Sequence, residues 1–477
     1  MKTAIAIGMT AFVVTLTACD QSQDPTPTSN NPSLEAGSLA GFRTSQPPQA
    51  LALAAQADLI PLVTAGDTLP GGAIWAPIPD GLGAYQLGSD LVLYANHELS
   101  STGVTDNNGV VQFPFARVSR LVLDPRAKTV KDASFVVDQT GQYQRLCSAT
   151  WVDAKEGFPS GYFLTGEEST GGVHDGIQLA IGKDGTVHEL PWLGRYAHEN
   201  QIAIPGFAGK VVTMGMDDTR GASELYLYVA DNEADVLAGR GKLYVFKTGA
   251  AADVSQLTEG GEYPGSFVEV TNAANLSSSE LQTQVSGLGA FPFVRLEDGD
   301  YQKGIGRDGK PAAYFVDTGN DATFCAGGVV CDVYGSIYRI EFDRNDPTSA
   351  TLILLERSQG WQSEWASPDN IAASTTSLMV QEDPAVPTFA RAPRIYQFGI
   401  SRNGRLTSRG QAVVELPNSN CVDAQGTCWE SSGIINASAW MGPGSWLFDV
   451  QAHSLAAPYL NLPKENGQLL FLRIRGS

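Results

Sequence analysis

The stretch from Gly194 to Asp218 opens on Arg195, His198 and Glu199, continues through apolar residues, and ends on the adjacent carboxylates Asp217 and Asp218. An apolar run that delivers paired acids at its end describes a buried strand emptying into a polar mouth. Adjacent carboxylates repel one another, so a protein that gathers many of them needs a cation there. The arrangement recurs along the chain. LVLYANHE ends at Glu98, GYFLTGEE at Glu167 and Glu168, AAYFVDTGND at Asp321, SLMVQED at Asp383 and SWLFDVQAH at His453. A single acid pair is an ordinary solvated strand end; a repeated one is a candidate metal funnel.

Each of these strands is followed by a second, often entered through Gly: FARVSRLVLD, GIQLAIGKDG, GKLYVFKT, GSIYRIEFD, RIYQFGISRNG and GQLLFLRIRG. The repeat predicts an all-β fold, a six-bladed β-propeller with insertions, with a pair of packed sheets as the alternative. The interval of about 100 residues between Asp218 and Asp321 leaves room for an insertion or a further blade. In a propeller the innermost strands line the channel. If the acid-bearing ends belong to those strands, their side chains converge at one mouth. No HExxH, GxSxG, P-loop or GxGxxG motif supplies a competing chemistry.

The chain has 477 residues, with 31 basic and 51 acidic side chains and a formal charge of −20. Such a balance argues against nucleic acid or anionic lipid as a partner held by simple attraction. With 51 Gly and 26 Pro among short Val/Ile/Leu/Tyr runs, the composition is that of a turn-rich β protein. The N-terminus carries one Lys, an apolar core from Ala4 to Val14, and Leu16-Thr17-Ala18-Cys19. This is the pattern of a lipoprotein signal cleaved before Cys19, which is then acylated. The expected organisation is a signal peptide over 1–18, a flexible Ser/Thr/Pro-rich tether over 19–50 and one domain over 51–477. That places the protein in the cell envelope as a monomer, touching the membrane only through its lipid. Of the other cysteines, Cys325 with Cys331 and Cys421 with Cys428 are plausible short-range disulfides, which leaves Cys147 unpaired. An unpaired Cys in an exported protein is either buried and inert or kept for chemistry.

The motifs, in order from about residue 80 to 455, resemble the PhoX family of bacterial alkaline phosphatases. Asn96-His97-Glu98 is similar to the family's NHE. Cys147 with GYFLTGEE, then GRYAHE, GMDD and GRGKLYVFK, resemble its following segments. GAFPFVRLED with Arg295 and Glu297, YGSIYRIEF, Ser367-Pro368-Asp369-Asn370, Gln381-Glu382-Asp383, Glu430 before SSGIINAS, and LFDVQAH continue the series. The resemblance implies a six-bladed propeller hydrolysing small phosphate monoesters at two oxide-bridged Fe3+ ions with Ca2+ beside them. It implies Glu167, Glu199, Glu297 and Asp369 as iron ligands with Cys147. Glu98, Glu168, Asp217, Asp218, Asn370 and Glu430 fall to calcium or to supporting roles, and Arg295 and Asn96 to catalysis. Arg295 has the geometry for a bidentate grip on phosphate.

The sequence also departs from the family's pattern. The Cys147 segment lacks the Gly-Gly and Pro-Trp-Gly that usually follow the Cys. Gly166 stands where the family often has Cys, Val294-Arg295-Leu296-Glu297 replaces Asp-Arg-Pro-Glu, and no twin Arg precedes the apolar core. Two other functions fit the acids: a calcium-dependent propeller hydrolase such as a lactonase, and a non-catalytic calcium-binding surface propeller. Neither needs Cys147 or Arg295. His97 and His198 are either core histidines or supports for the neighbouring Glu, Trp192, Trp361 and Trp365 are expected to pack, and Asp317 and Asp321 are left to loop formation.

Overall fold

The apolar runs form the strands Asp90–His97, Tyr162–Glu167, Val211–Asp217, Ala312–Asp317, Ser377–Glu382 and Ser445–Gln451. Each is buried almost throughout because neighbouring sheets cover both its faces, and an unbroken apolar reading follows from that. None of them is innermost, which corrects the expectation that the acid-bearing strands line the channel. Each is second in its sheet. Ahead of it runs a strand of mixed sequence: Pro79–Leu87, Leu146–Val152, His198–Ala203, Leu296–Tyr301, Pro368–Ala373 or Ile434–Asn436. These inner strands lie side by side in chain order, and the last returns to the first.

This computed structural model describes residues 41–475, apart from 222, 305–308, 321–330, 362–363, 385–390, 418–427, 454, 456, 458–459 and 463–464. The fold is all-β and propeller-like, built of antiparallel sheets that run outward from the inner strands. Two four-stranded sheets come first, from Pro79–Leu87 out to Thr129–Val137 and from Leu146–Val152 out to Val187–Glu189. A nine-stranded sheet follows, with inner strands at both of its edges; its halves meet where Glu262–Val270 pairs with Ser349–Arg357. This sheet and the capped helix Ser278–Leu288 account for the long interval after Asp218. A five-stranded sheet and a final four-stranded one complete the circle.

Apolar layers separate neighbouring sheets. Tyr94, Phe163 and Leu179 fill one, and Tyr314, Ile337, Leu378 and Phe398 another. Leu82, Leu93 and Leu121 meet Leu447, Leu469 and Phe471 where the last sheet faces the first. The outer strand of that last sheet is supplied from the other end of the chain, as Ala57–Thr64 pairs with Gly467–Ile474. Residues before 51 also pack on the domain. Phe42 bridges Val130, and Gln49 N donates to Gln468 Oε1 at 2.8 Å. The packed part therefore begins ahead of residue 51. Cys331 and Cys428 are disulfide-bonded, while Cys325, Cys421 and Cys19 lie outside the described residues. No described helix is long and apolar enough to cross a membrane.

One register positions the site. Pro79 pairs with His97, Leu146 with Glu167, His198 with Asp217, Leu296 with Asp317, Pro368 with Glu382, and Glu430 with Gln451. The start of each of the first five inner strands thus lies beside the end of the second strand, and in the last sheet Glu430, ahead of Ile434–Asn436, takes that place. In the first five an extra residue on the inner strand bulges just after this pair, for example between Pro79 and Leu82 and between His198 and Gln201. A bulge breaks the alternation of side chains and re-aims the residue that follows the pair.

The closing strand gives a direct test of this architecture. Leu62 is 1% exposed within it. Leu62→Ala should cost about 2–5 kcal/mol of stability, the range for truncating a buried Leu. A urea midpoint equal to that of the parent would show that the N-terminal strand does not close the ring.

Candidate metal centre

The residues re-aimed by the bulges are Asp80, Cys147, Glu199, Glu297 and Asp369. Those just past the second strands are Glu98, Glu168, Asp218 and Asp383. All of them line one cavity of about 240 Å³, together with Arg145, Arg295, Glu430, Gln451 and His453. Three sets of potential ligands stand out: Asp80, Glu98 and Cys147; Cys147, Glu168 and Glu199; and Glu199, Glu297 and Asp369. Within each set the ligand atoms lie within 4.8 Å of one another. Cys147 and Glu199 are each shared by two sets, so the three form a connected chain.

The electrostatics are those of a site that needs positive charge. Burial, and then repulsion from neighbouring acids, pushes Asp80, Glu199, Glu297, Asp369 and Asp383 well above the usual carboxylate range. Burial and the same neighbours raise the Cys147 thiol, whose Sγ lies 2.8 Å from Glu168 Oε2. Asp218 Oδ1 is buried with no hydrogen-bond partner among the described residues. Hard oxygens crowded around one thiol, with a lone pair left over, are a donor set that fits metal cations. The cations contributed by the chain are few. Arg295 Nη2 contacts Asp218 Oδ2 at 2.8 Å and Glu297 Oε1 at 3.0 Å. Arg145 Nη2 contacts Glu98 Oε1 at 2.7 Å and Glu168 Oε2 at 2.5 Å. Burial opposes charge on His453, but Glu430 and Glu465 beside it raise its pKa well above the ordinary value.

Several residues expected at the site hold it up from outside instead. Glu167 faces away from the cavity and accepts from the backbone N–H groups of Gln144 (2.8 Å) and Gly176 (3.3 Å), because strand alternation gives the mouth to Glu168. Asp217 is fully buried and accepts from Thr219 N at 2.9 Å. Asn96 is not at the reacting centre. Its amide donates to the Cys147 carbonyl and to Thr165 Oγ1, fixing the strand that carries the thiol. Asn370 Nδ2 donates to Ser148 Oγ at 2.6 Å, and Ser148 Oγ donates to Glu199 Oε1 at 2.6 Å, while Asn370 Oδ1 is buried with no hydrogen-bond partner among the described residues. Glu430 lines the cavity but joins none of the three sets, since His453 and Asp383 engage it. His97 and His198 are fully buried on backbone carbonyls, and burial lowers both to about 3, so they are neutral core residues. Asp317 is also structural, accepting from Ser336 N and Tyr338 OH. Trp192 and Trp365 donate to Val236 O and Glu356 Oε1 and pack as expected.

Asp80, Arg145 and Gln451 were missed. Gln451 Nε2 donates to Asp80 Oδ2 at 3.0 Å and Glu98 Oε2 at 3.1 Å, tying one ligand set to the last sheet. The available signal was the inner-strand start: Asp80 stands in its strand where Cys147, Glu199, Glu297 and Asp369 stand in theirs. Two glycines set the spacing. A Cβ on Gly81 would come within 2.4 Å of Cys147 O and Ala149 N. One on Gly166 would come within 2.5 Å of the His198 Cβ, so a Cys has no room there and the departure at this position follows from packing.

A sequence model described as "Alkaline phosphatase PhoX" matches residues 183–428, more than half of the chain. The chain belongs to the PhoX alkaline phosphatase family. It is a phosphoric monoester hydrolase whose family depends on metal. Among solved structures it resembles Pseudomonas fluorescens PhoX in complex with vanadate, a transition-state analogue, at TM-score 0.58 and 14% identity, covering 92% of this chain and 98% of that one. A Dyadobacter fermentans protein of unknown function aligns at TM-score 0.44 and 8% identity over 87% and 99%, too distant to bear on function. No curated protein matches in sequence. The PhoX match takes in Glu199, Asp218, Arg295, Glu297, Asp369 and Asp383, and leaves Arg145 and Cys147 outside.

The frustrated carboxylates give this PhoX protein a measurable pH signature. Glu168, ordinarily near 4.5, is pushed up to about 8 by burial and nearby acids, against the pull of Arg145. Between those values the metal-free folded protein holds a proton that the unfolded chain has released, so raising the pH removes stability. In chelator the melting temperature should fall as the pH rises from about 5 to about 8. Metal should flatten that slope by replacing protons. A melting temperature that climbs over this range in chelator would mean the acids ionise comfortably without a cation.

Proposed function

We propose that this protein is an exported, lipid-anchored alkaline phosphatase that hydrolyses small phosphate monoesters at an iron and calcium cluster. The carrying observation is the linkage of three ligand sets through Cys147 and Glu199 in a cavity that also holds Arg295. Hard carboxylate oxygens suit ferric and calcium ions, and a thiolate suits iron. Iron is assigned to the two sets that share Glu199, and calcium to the set of Asp80 and Glu98. Bound there, the cations would neutralise phosphate oxygens and offset charge on the leaving oxygen. The chain itself orients the substrate. A guanidinium cannot ligate metal, so beside a cationic cluster Arg295 is useful when an anion lies between them. Ser148, Asn370 and Asn96 hold the ligands rigid from beneath, which keeps the geometry preorganised.

The fold reading is finer as well. The nine-stranded sheet is taken as two blades joined along their outer edges, which gives six blades in all. The repeated register and the ring of inner strands support this count. Export and anchoring rest on the signal pattern and Cys19. A lactonase or a passive calcium binder has no use for Cys147 and Arg295 within one cavity.

The test is p-nitrophenyl phosphate turnover with and without EDTA, beside metal analysis. The protein should carry iron and calcium and lose turnover with them; activity in protein free of both would remove the cluster from the reaction. Arg295→Ala should keep the metal while turnover falls about 10²-fold or more, the scale for losing one transition-state donor. Full activity in that variant would make Arg295 structural. Separately, Cys19→Ser should abolish acylation and release the protein from the membrane fraction, whereas unchanged anchoring would refute the lipoprotein assignment.

A further inference from the structure

Arg145 occupies, ahead of its inner strand, the position that Arg295 occupies two inner strands further along the chain. Both stand in an Arg-Leu-ligand triplet: Arg145-Leu146-Cys147 and Arg295-Leu296-Glu297. In each triplet the Leu is fully buried and begins the inner strand. Each Arg carbonyl accepts the N–H of the residue just past the second strand, Glu168 at 2.9 Å and Thr318 at 3.0 Å. Both backbones are left-handed, at φ 48° and 56°. Ile78 and Ser367 share that conformation at the equivalent positions, so it belongs to the repeated turn and not to the arginines. Of these four residues, Ile78, Arg145 and Arg295 line the cavity. Each Arg also reaches the acid at the end of the preceding second strand, Glu98 for Arg145 and Asp218 for Arg295.

The strand His198–Ala203 runs between the two inner strands that follow these arginines. It carries Glu199, the ligand shared by two metal sets. We propose that Arg145 is a second phosphate-binding residue, so that two guanidiniums at equivalent positions grip the substrate phosphate from either side of Glu199. The inference rests on the phosphatase reading above. Both carboxylates now paired with Arg145 belong to metal sets. When cations take those carboxylates, Arg145 is left facing positive charge, which an anion in the cavity relieves. Its side chain is 46% exposed and lines the same cavity as Arg295. The competing role, a clamp that only holds Glu98 and Glu168 in place, predicts the opposite response of the metal.

The experiment uses the full metal-loaded protein with inorganic phosphate and vanadate as probes. Arg145→Ala should raise the inhibition constants of both about 10-fold or more and raise KM, and Arg145→Lys should recover part of the loss because an ammonium lacks the two-pronged grip. Metal retention against a chelator should be unchanged or greater, since a competing cation has gone. If Arg145→Ala fails to load metal, direct phosphate binding to metal-loaded Arg145→Lys decides: weakened binding at full metal content supports the proposal. Unchanged phosphate inhibition in the variants, or losses that only track lost metal, would overturn it. A parent protein that neither turns over phosphate monoesters nor binds phosphate would instead overturn the functional reading itself. An active parent with an impaired Arg295→Ala and an unaffected Arg145→Ala would overturn this inference alone.

Discussion

Mutual repulsion among buried carboxylates is the constraint on which the rest of this molecule turns. Asp80, Glu98, Glu168, Glu199, Asp218, Glu297, Asp369 and Asp383 share one cavity. A flexible surface would splay them apart or leave them solvated. Here they sit at strand termini held by the apolar layers between sheets, and several are braced by a hydrogen-bonded neighbour, such as Ser148 at Glu199 and Gln451 at Asp80 and Glu98. The scaffold resists the repulsion, and the positive charge needed to offset it falls to a few arginines, to protons, and to metal.

The register explains how so many acids arrive together. A single pairing repeated around the ring places two chain positions per sheet at the same mouth, and a bulge turns the inner one inward. Small variations on this unit give different parts. The inner position is Asp, Cys or Glu, and the residue two before it is Ile, Arg, Ala or Ser. One geometry thereby supplies ligands, cation and wall, which is how an inner ring of nearly identical turns becomes an asymmetric site.

Much of this was legible in the sequence, for identifiable reasons. The second strands are covered on both faces, so their apolar runs stand out, and the acids at their ends mark the mouth. The inner strands border the channel and mix polar with apolar residues, as in PDGLGAYQL and HENQIA, so periodicity does not announce them. The layers were consequently assigned one strand out of place. Cys147, Glu199, Glu297 and Asp369, which line the cavity, stand in the family's motifs, while Asp80, which lines it too, stands in no quoted motif. Glu167 and Asp217 were chosen because they stand beside an acid that does face the mouth. Telling the two members of such a pair apart takes the strand's alternation, which a string of letters shows only once its register is known.

The closure between Ala57–Thr64 and Gly467–Ile474 bears on the order in which the protein is made. A ribosome delivers Asp80 and Glu98 early and Gln451, which bonds both, more than 350 residues later. The sheets in between form from nearby segments as they emerge, but the first and last must wait for each other. The set of Asp80, Glu98 and Cys147 therefore gains this brace only once Gln451 has emerged, long after the first sheet. Contacts of such sequence separation are among the slow ones to form.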